Sequence, residues 1–199
     1  AAAALKALEV EDNPNLLIMS SDHQINDINK FVDSIEKGLH YSDEGRLVTF
    51  GIPPISPETG YGYIQAKNNL NIETLDGEQI IKFLEKPNFE TAEKLIKDKS
   101  FSWNSGIFLF KALTILEEIN MFHPNIKKFC ELSIKDKIVD LDFERLNKES
   151  FAKSPSISID CAVMEKTTKG TVIPLNAGWS DVGSWSSVWE TSIKDKDGN

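Results

Sequence analysis

Short, continuously apolar runs alternate along this chain with segments in which apolar residues return every three or four positions. Leu16-Leu17-Ile18-Met19 reads as a strand buried on both faces of a sheet. From Asn26 to His40, Ile28, Phe31, Val32, Ile35 and Leu39 fall on one face of a helix that ends at Gly45. Leu47-Val48-Thr49-Phe50-Gly51 is the next strand. Strand, helix and strand in that order predict a βαβ unit, with a parallel pair and a right-handed crossover. A third apolar strand follows Asn104-Ser105-Gly106, and a fourth, Thr171-Val172-Ile173-Pro174-Leu175, lies near the end.

The intervening segments fill in an α/β order. Residues 1–11 read as the end of a helix broken by Asp12-Asn13-Pro14. Residues 70–86 read as a hairpin turning at Asp76-Gly77, with Ile80–Leu84 as its second strand. Asn88 caps a short helix reaching Asp98, and residues 112–153 read as helical, broken at His123-Pro124, a subdomain within the larger unit. Ser156–Asp160 alternates like a strand end, Ala162–Lys166 turns helical, and Ser184–Trp189 is amphipathic.

A length of 199 residues and 40% apolar content suit one domain with an ordinary core, 1–199. The net charge of −9 argues against non-specific binding to nucleic acid or to an anionic membrane, both of which need a basic surface. Cys130 and Cys161 are far apart and lack metal-site spacing, so they read as free thiols in a reducing compartment. With no apolar run of membrane length and no signal peptide, the expected location is the cytoplasm. The chain opens on Ala1-Ala2-Ala3-Ala4 without an initiator Met and closes on a turn at Asp195–Asn199, so both ends read as cut from a longer polypeptide.

The candidate chemistry gathers at strand ends, where open α/β sheets bind ligands. Asp22 follows the first strand; it can face a ligand or cap the next helix. Gly60-Tyr61-Gly62 precedes a strand, where two glycines either bare backbone N–H groups or simply kink the strand start. Glu85 and Lys86, adjacent and so on opposite faces, leave a strand ended by Pro87; they suit a sugar hydroxyl and a phosphate, or an exposed ion pair. Asn104 suits a hydroxyl-rich ligand or a turn. Asp181 stands between Trp179 and Trp185 on a backbone loosened by Gly178 and Gly183, either aimed at a ligand or capping the last helix between two core tryptophans. No GxGxxG or GxxxxGK[ST] loop occurs in the chain.

Taken in order, Ser-Asp-His-x-Ile, Glu-Thr-Gly-Tyr-Gly-Tyr-Ile, Glu-Lys-Pro, Trp-Asn-Ser-Gly-Ile-Phe, Ser-Ile-Asp-x-Ala-Val-Met-Glu-Lys and Gly-Trp-Ser-Asp-Val-Gly-Ser-Trp span residues 20 to 185. This series resembles the mannose-1-phosphate guanylyltransferase branch of the sugar-nucleotide pyrophosphorylases. The resemblance implies an α/β fold: a Rossmann-like nucleotidyltransferase sheet, mixed but mostly parallel, with flanking helices and incomplete on its N-terminal side. It implies GTP and mannose 1-phosphate as substrates, GDP-mannose and pyrophosphate as products, and Mg²⁺ or another divalent cation as cofactor. By motif, Asp22 and Asp181 would hold the metal, and with Lys86 form the catalytic set. Gly62, Glu85, Lys86, Asn104 and Asp160 would bind the sugar phosphate, with the part played by Asp160, like that of Lys166, left unassigned. The family's glycine-rich signature loop has no counterpart among these residues, so the chain alone is expected to be inactive. Alternatives are a non-catalytic sugar-phosphate-binding homologue and a pyrophosphorylase for another sugar or nucleotide. A missing first strand would leave a sheet edge open to pairing with another copy.

Overall fold

In the computed structural model the apolar runs pair into one six-stranded sheet, ordered β1-β6-β3-β9-β5-β4. Residues 1–196 and 198 are described; the turn expected at 195–199 falls in part on Asp197 and Asn199, which lie outside them. The elements in chain order are α1 (Ala2–Ala7), β1 (Asn15–Ile18), β2 (Gln24–Ile25), α2 (Ile28–Asp43), β3 (Leu47–Ile52), β4 (Tyr63–Ala66), β5 (Glu78–Leu84) and α3 (Phe89–Leu95). They continue with β6 (Phe101–Lys111), α4 (Ala112–Phe122), α5 (Pro124–Lys135), β7 (Ile138–Asp140), β8 (Phe143–Arg145), α6 (Lys148–Phe151), a π-helical turn at Asp160–Met164, β9 (Gly170–Pro174), β10 (Trp179–Ser180) and α7 (Trp185–Thr191).

The α/β reading holds, and the sheet is mixed: β1, β3, β4 and β9 run one way while β5 and β6 run against them. The expected βαβ unit is present with one change. β1 and β3 run in the same direction but are not neighbours, because β6 is inserted antiparallel between them. The pair that bonds in parallel among the described residues is β3–β9. As an edge strand, β1 is not buried on both faces: Leu17 and Ile18 are 37% and 38% exposed.

Each face of the sheet carries its own apolar layer. Val48, Phe50, Ile107, Leu109 and Ile173 pack with Phe31 of α2 and Ala92 of α3 on one side. Leu47, Phe108, Phe110 and Val172 pack with Ala4 of α1, Ile115 and Leu116 of α4 and the π turn on the other. The α2 stripe differs from the one its large residues suggest. Ile28 and Val32 are exposed, and the buried positions are Phe31 with Ser34, Gly38 and Ser42, the last three small enough to bring the helix close to the strands. A Cβ at Gly38 would stand 3.0 Å from Leu109 Cδ2.

Three further expectations are corrected. The hairpin is formed by β4 and β5, with residues 67–77 as its connection, and Asp76-Gly77 leads into β5 instead of closing a tight turn. Gly77 is held there by close packing: a Cβ would meet Ile173, Thr171 and Tyr41 at 2.8 Å. Residues 112–153 are not helical throughout, since β7 and β8 form a hairpin between α5 and α6. Ser156–Ile159 forms no strand; it leads into the π turn that begins at Asp160. Both cysteines are free thiols, and no helix among the described residues is long and apolar enough to cross a membrane.

Candidate active site

The site begins as a gap along one edge of β6. β3 covers one edge from Trp103 to Leu109. β1 and β4 share the other, β1 against Phe108–Lys111 and β4 against Phe101–Trp103. Between them Ser105, Gly106 and Ile107 have no strand on that edge among the described residues, and all three stand opposite the single Phe50 of β3. Gly106 takes a φ of +70° to make this bulge, which side-chain-bearing residues adopt with difficulty. Asn104-Ser105-Gly106 is therefore neither a turn nor a lead-in to a strand, but a bulge within one.

Asn104, buried beside this gap, has its amide held at both ends. Its Nδ2 donates to Asp160 Oδ1 at 2.9 Å. Its Oδ1 lies 2.9 Å from Thr49 Oγ1, which is equally close to the Ile107 carbonyl and has one proton for the two acceptors. The backbone N–H of Asn104 donates to the Gly62 carbonyl at 2.8 Å. Gly62 is tied to the site from another side too, since a Cβ there would stand 2.9 Å from Glu85 Oε2 and 3.4 Å from Asn104 Cβ.

Glu85 and Lys86 do not diverge onto opposite faces as adjacent strand residues would. Lys86 takes a φ of +46°, and its Nζ comes back to 3.8 Å from Glu85 Oε1. Burial pushes the Glu85 carboxyl above the usual range, the Asp160 charge adds to this, and Lys86 opposes it. Asp160 is raised as well, first by burial, with the bond from Asn104 pulling the other way and Glu165 adding to the rise. The structure thus gathers Gly62, Glu85, Lys86, Asn104 and Asp160 into one cluster of two half-buried carboxylates, an amide, an ammonium and glycine backbone. Lys166 instead reaches His123, with 2.8 Å between Nζ and Nε2.

A small antiparallel ribbon, β2 with β10, lies beside the bulge: a Cβ at Gly106 would stand 3.9 Å from His23 Cε1. Its register pairs Ile25 with Trp179 and Gln24 with Ser180, so the chains leave one end of it through His23-Asp22 and through Asp181. Neither aspartate is a helix cap: Asp27 caps α2 and Ser184 caps α7. Asp22 is exposed and has no side-chain partner among the described residues. Asp181 is engaged through one oxygen, accepting from Tyr61 Oη at 2.9 Å and Gly183 N at 3.1 Å, both at Oδ1. Val182 at φ +52° makes that fold-back, a strained conformation for a β-branched residue. The two tryptophans differ. Trp179 donates to His23 Nδ1 at 3.2 Å and packs edge-on against His23 and Tyr61, whereas Trp185 is 89% exposed and is not core.

Two carboxylates at one ribbon end, one unpartnered and the other with an oxygen to spare, are hard donors suited to Mg²⁺. That ion commonly takes one or two protein carboxylates and completes its shell with water and phosphate. Among the described residues no third acidic, His or Cys side chain joins them. Thr49 and Tyr61 are functional candidates that sequence reading does not single out. Thr49 sits unmarked within an apolar strand, while Tyr61 lies inside a motif whose glycines are the more conspicuous signal.

The profile of the nucleotidyl transferase family matches residues 1–198. The chain is 47% identical over 206 aligned residues to a mannose-1-phosphate guanylyltransferase of Salmonella montevideo, covering 100% of this chain and 42% of that protein. It is 42% identical over 200 residues to a protein of the same name from Escherichia coli strain K12, again covering 100% and 42%. A solved structure from Thermus thermophilus, described as a mannose-1-phosphate geranyltransferase, superposes with a TM-score of 0.79 at 30% identity, over 98% of this chain and 53% of that one. Another from Helicobacter pylori, described as a mannose-6-phosphate isomerase, gives 0.78 at 33% identity, over 89% and 68%. The chain spans about two fifths of the length of the curated relatives it matches.

Proposed function

Because this chain belongs to the nucleotidyl transferase family, we propose that it forms the sugar-phosphate half of an enzyme that transfers GMP from GTP to mannose 1-phosphate. The observation that carries this reading is the convergence of Gly62, Glu85, Lys86, Asn104 and Asp160 on the bulge of β6, beside the ribbon end bearing Asp22 and Asp181. The names of relatives 40–47% identical over the whole chain support the choice of sugar and base.

In this reading Glu85 and Asp160 accept hydrogen bonds from sugar hydroxyls, and Asn104 offers the N–H and the lone pair that Asp160 and Thr49 leave unused. Lys86, exposed beside Glu85, meets the sugar's phosphate as a point charge. Asp22 and Asp181 would hold Mg²⁺, which supplies charge neutralisation at the phosphates when bound. A phosphate oxygen of mannose 1-phosphate attacks the α-phosphorus of GTP; the bond from that phosphorus to the bridging oxygen breaks, and pyrophosphate leaves with the electron pair. The nucleophile is the substrate's own, so the protein's residues act by positioning and by matching charge.

These 199 residues contain no glycine-rich loop to cradle a triphosphate. We therefore expect the chain alone to bind the sugar phosphate without completing the transfer. Calorimetric titration with mannose 1-phosphate, with mannose as control, tests the half-site. Pyrophosphate release from GTP, compared with ATP and UTP, by a polypeptide extended to the length of the relatives tests the reaction. Saturable binding of mannose 1-phosphate and GTP-dependent release support the proposal. A folded chain that ignores the sugar phosphate, or an extended one that prefers another nucleotide, overturns its corresponding part.

A further inference from the structure

We infer that Tyr61 is a positioning residue that fixes Asp181 so that one chosen carboxylate oxygen faces an incoming cation, coupling the sugar-binding loop to the cation site. The inference rests on the reading of Asp181 as a metal ligand and adds a residue which that reading does not include.

Both donors that reach Asp181 converge on the same oxygen. Tyr61 Oη at 2.9 Å and Gly183 N at 3.1 Å each donate to Oδ1, while Oδ2 has no donor among the described residues. A carboxylate held in this way cannot exchange its oxygens by rotation without giving up two bonds. The second oxygen is left with its lone pairs for a ligand. Oδ2 also has close company that only glycine permits, since a Cβ at Gly183 would stand 2.8 Å from it.

Tyr61 can hold this position because its ring is fixed independently of its hydroxyl. It packs edge-on against Trp103 at 5.2 Å and against Trp179 at 5.5 Å, one from β6 and the other from β10. The phenol therefore spans the gap between the sheet and the ribbon. It also directly precedes Gly62, whose carbonyl accepts from Asn104 N and where a Cβ would stand 2.9 Å from Glu85 Oε2. Displacement of the loop by a sugar phosphate would be carried through Tyr61 to Asp181. Outer partners that orient a metal-binding carboxylate commonly affect ion affinity by about 10- to 100-fold.

The test is Mn²⁺ binding to this chain, followed by the paramagnetic resonance signal of the unbound ion, for the parent, Tyr61→Phe and Asp181→Asn. Tyr61→Phe keeps the ring between both tryptophans and removes only the donor. The expected result is that Tyr61→Phe binds Mn²⁺ about tenfold more weakly, while its metal-free melting temperature stays close to the parent's. Asp181→Asn should lose more affinity still. Parent-like or tighter Mn²⁺ binding by Tyr61→Phe, with Asp181→Asn clearly weakened, overturns the inference and leaves the ion-site reading intact. A parent that does not bind Mn²⁺, or an Asp181→Asn variant that binds as well as the parent, overturns the ion-site reading and the inference with it.

Discussion

Asn104 and Asp160 meet across 2.9 Å, amide nitrogen to carboxylate oxygen, and this bond ties the bulge of β6 to the first residue of the π turn. The two come from segments 56 residues apart in sequence, so the bond is a tertiary device that neither segment can form alone.

Asn104→Asp turns that attraction into repulsion. The new carboxylate would still accept from Thr49 but would face Asp160 with like charge, at a buried position beside a half-buried one. At neutral pH the variant should be destabilised by about 1–3 kcal/mol, the usual penalty of an unmatched buried polar group. On acidification one of the two carboxyls takes a proton and can donate to the other, so the deficit should shrink between about pH 7 and pH 5. Thermal unfolding of parent and variant at both pH values reads the difference directly. A deficit that does not depend on pH would mean that packing, and not charge, is responsible.

Glu85 and Asp160 give a second pH-dependent prediction. Both are raised above the ordinary carboxylate range, chiefly by burial. Relative to the unfolded chain, therefore, folding favours the neutral form of each. Their contribution to stability is fully present below the unfolded-state values and is lost as pH rises through the folded ones. Replacing them with neutral amides, Glu85→Gln with Asp160→Asn, should raise the melting temperature at about pH 7 to 8 relative to the parent. The gain should shrink as pH falls through the raised folded-state range, where the parent carboxyls take up protons themselves. If ligand binding is assayed alongside, the same variant should bind mannose 1-phosphate less well. More stable and less able to bind is what a site holding two like charges together for a ligand predicts.

Much of this fold was legible in the sequence, because strands such as Leu47–Gly51 and Thr171–Leu175 are continuously apolar and α2 is strongly periodic. Sheet order was not. The insertion of β6 between β1 and β3 depends on its pairing with one segment about 90 residues away and another about 50 to 60 away, and nothing local in Leu16–Met19 distinguishes an edge strand from a central one. The residues of the candidate site were legible as motifs, but their mutual arrangement was not. The left-handed turn at Lys86 that folds its ammonium back toward Glu85 carries no glycine or asparagine to announce it. Thr49 and Tyr61 stayed hidden because an alcohol in an apolar strand and a tyrosine beside glycines look ordinary until their partners are in place.

Two closely packed glycines should respond differently to alanine. At Gly51 a Cβ would stand 2.4 Å from Ser102 Oγ and 2.7 Å from Val172 Cγ2, inside the sheet and against branched core atoms. Gly51→Ala should be destabilised by about 1–3 kcal/mol. Ser102 Oγ is itself buried without a hydrogen-bond partner, so Ser102→Ala should be near neutral alone and recover part of the Gly51→Ala loss when combined with it. At Gly62 the nearest atom is the mobile end of Glu85, 2.9 Å away, which can swing aside. Gly62→Ala should therefore melt close to the parent while binding mannose 1-phosphate more weakly. Chemical denaturation of all four variants, with titration of Gly62→Ala, separates a core glycine from a site glycine.

If Lys86 meets the phosphate, replacing it should separate recognition of the sugar from recognition of its phosphate. Its ammonium is exposed and 3.8 Å from Glu85, an ion pair worth about 0–1 kcal/mol at most to folding. Its backbone is left-handed, so Lys86→Gly removes the side chain at a position where glycine is at ease, and the melting temperature should hold or rise slightly. A charged hydrogen bond to phosphate is worth about 1.5–3 kcal/mol, so the variant should bind mannose 1-phosphate roughly tenfold or more weakly. Binding of unphosphorylated mannose should change little. Because an exposed ammonium acts through screened charge, the parent's affinity for the sugar phosphate should also fall with added salt, and that dependence should flatten in the variant. Titrations of both ligands at two ionic strengths decide the matter. If Lys86→Gly binds the sugar and its phosphate with parent-like affinity and parent-like salt dependence, the phosphate is held elsewhere, and the role given to Lys86 fails while those of Glu85, Asn104 and Asp160 are untouched.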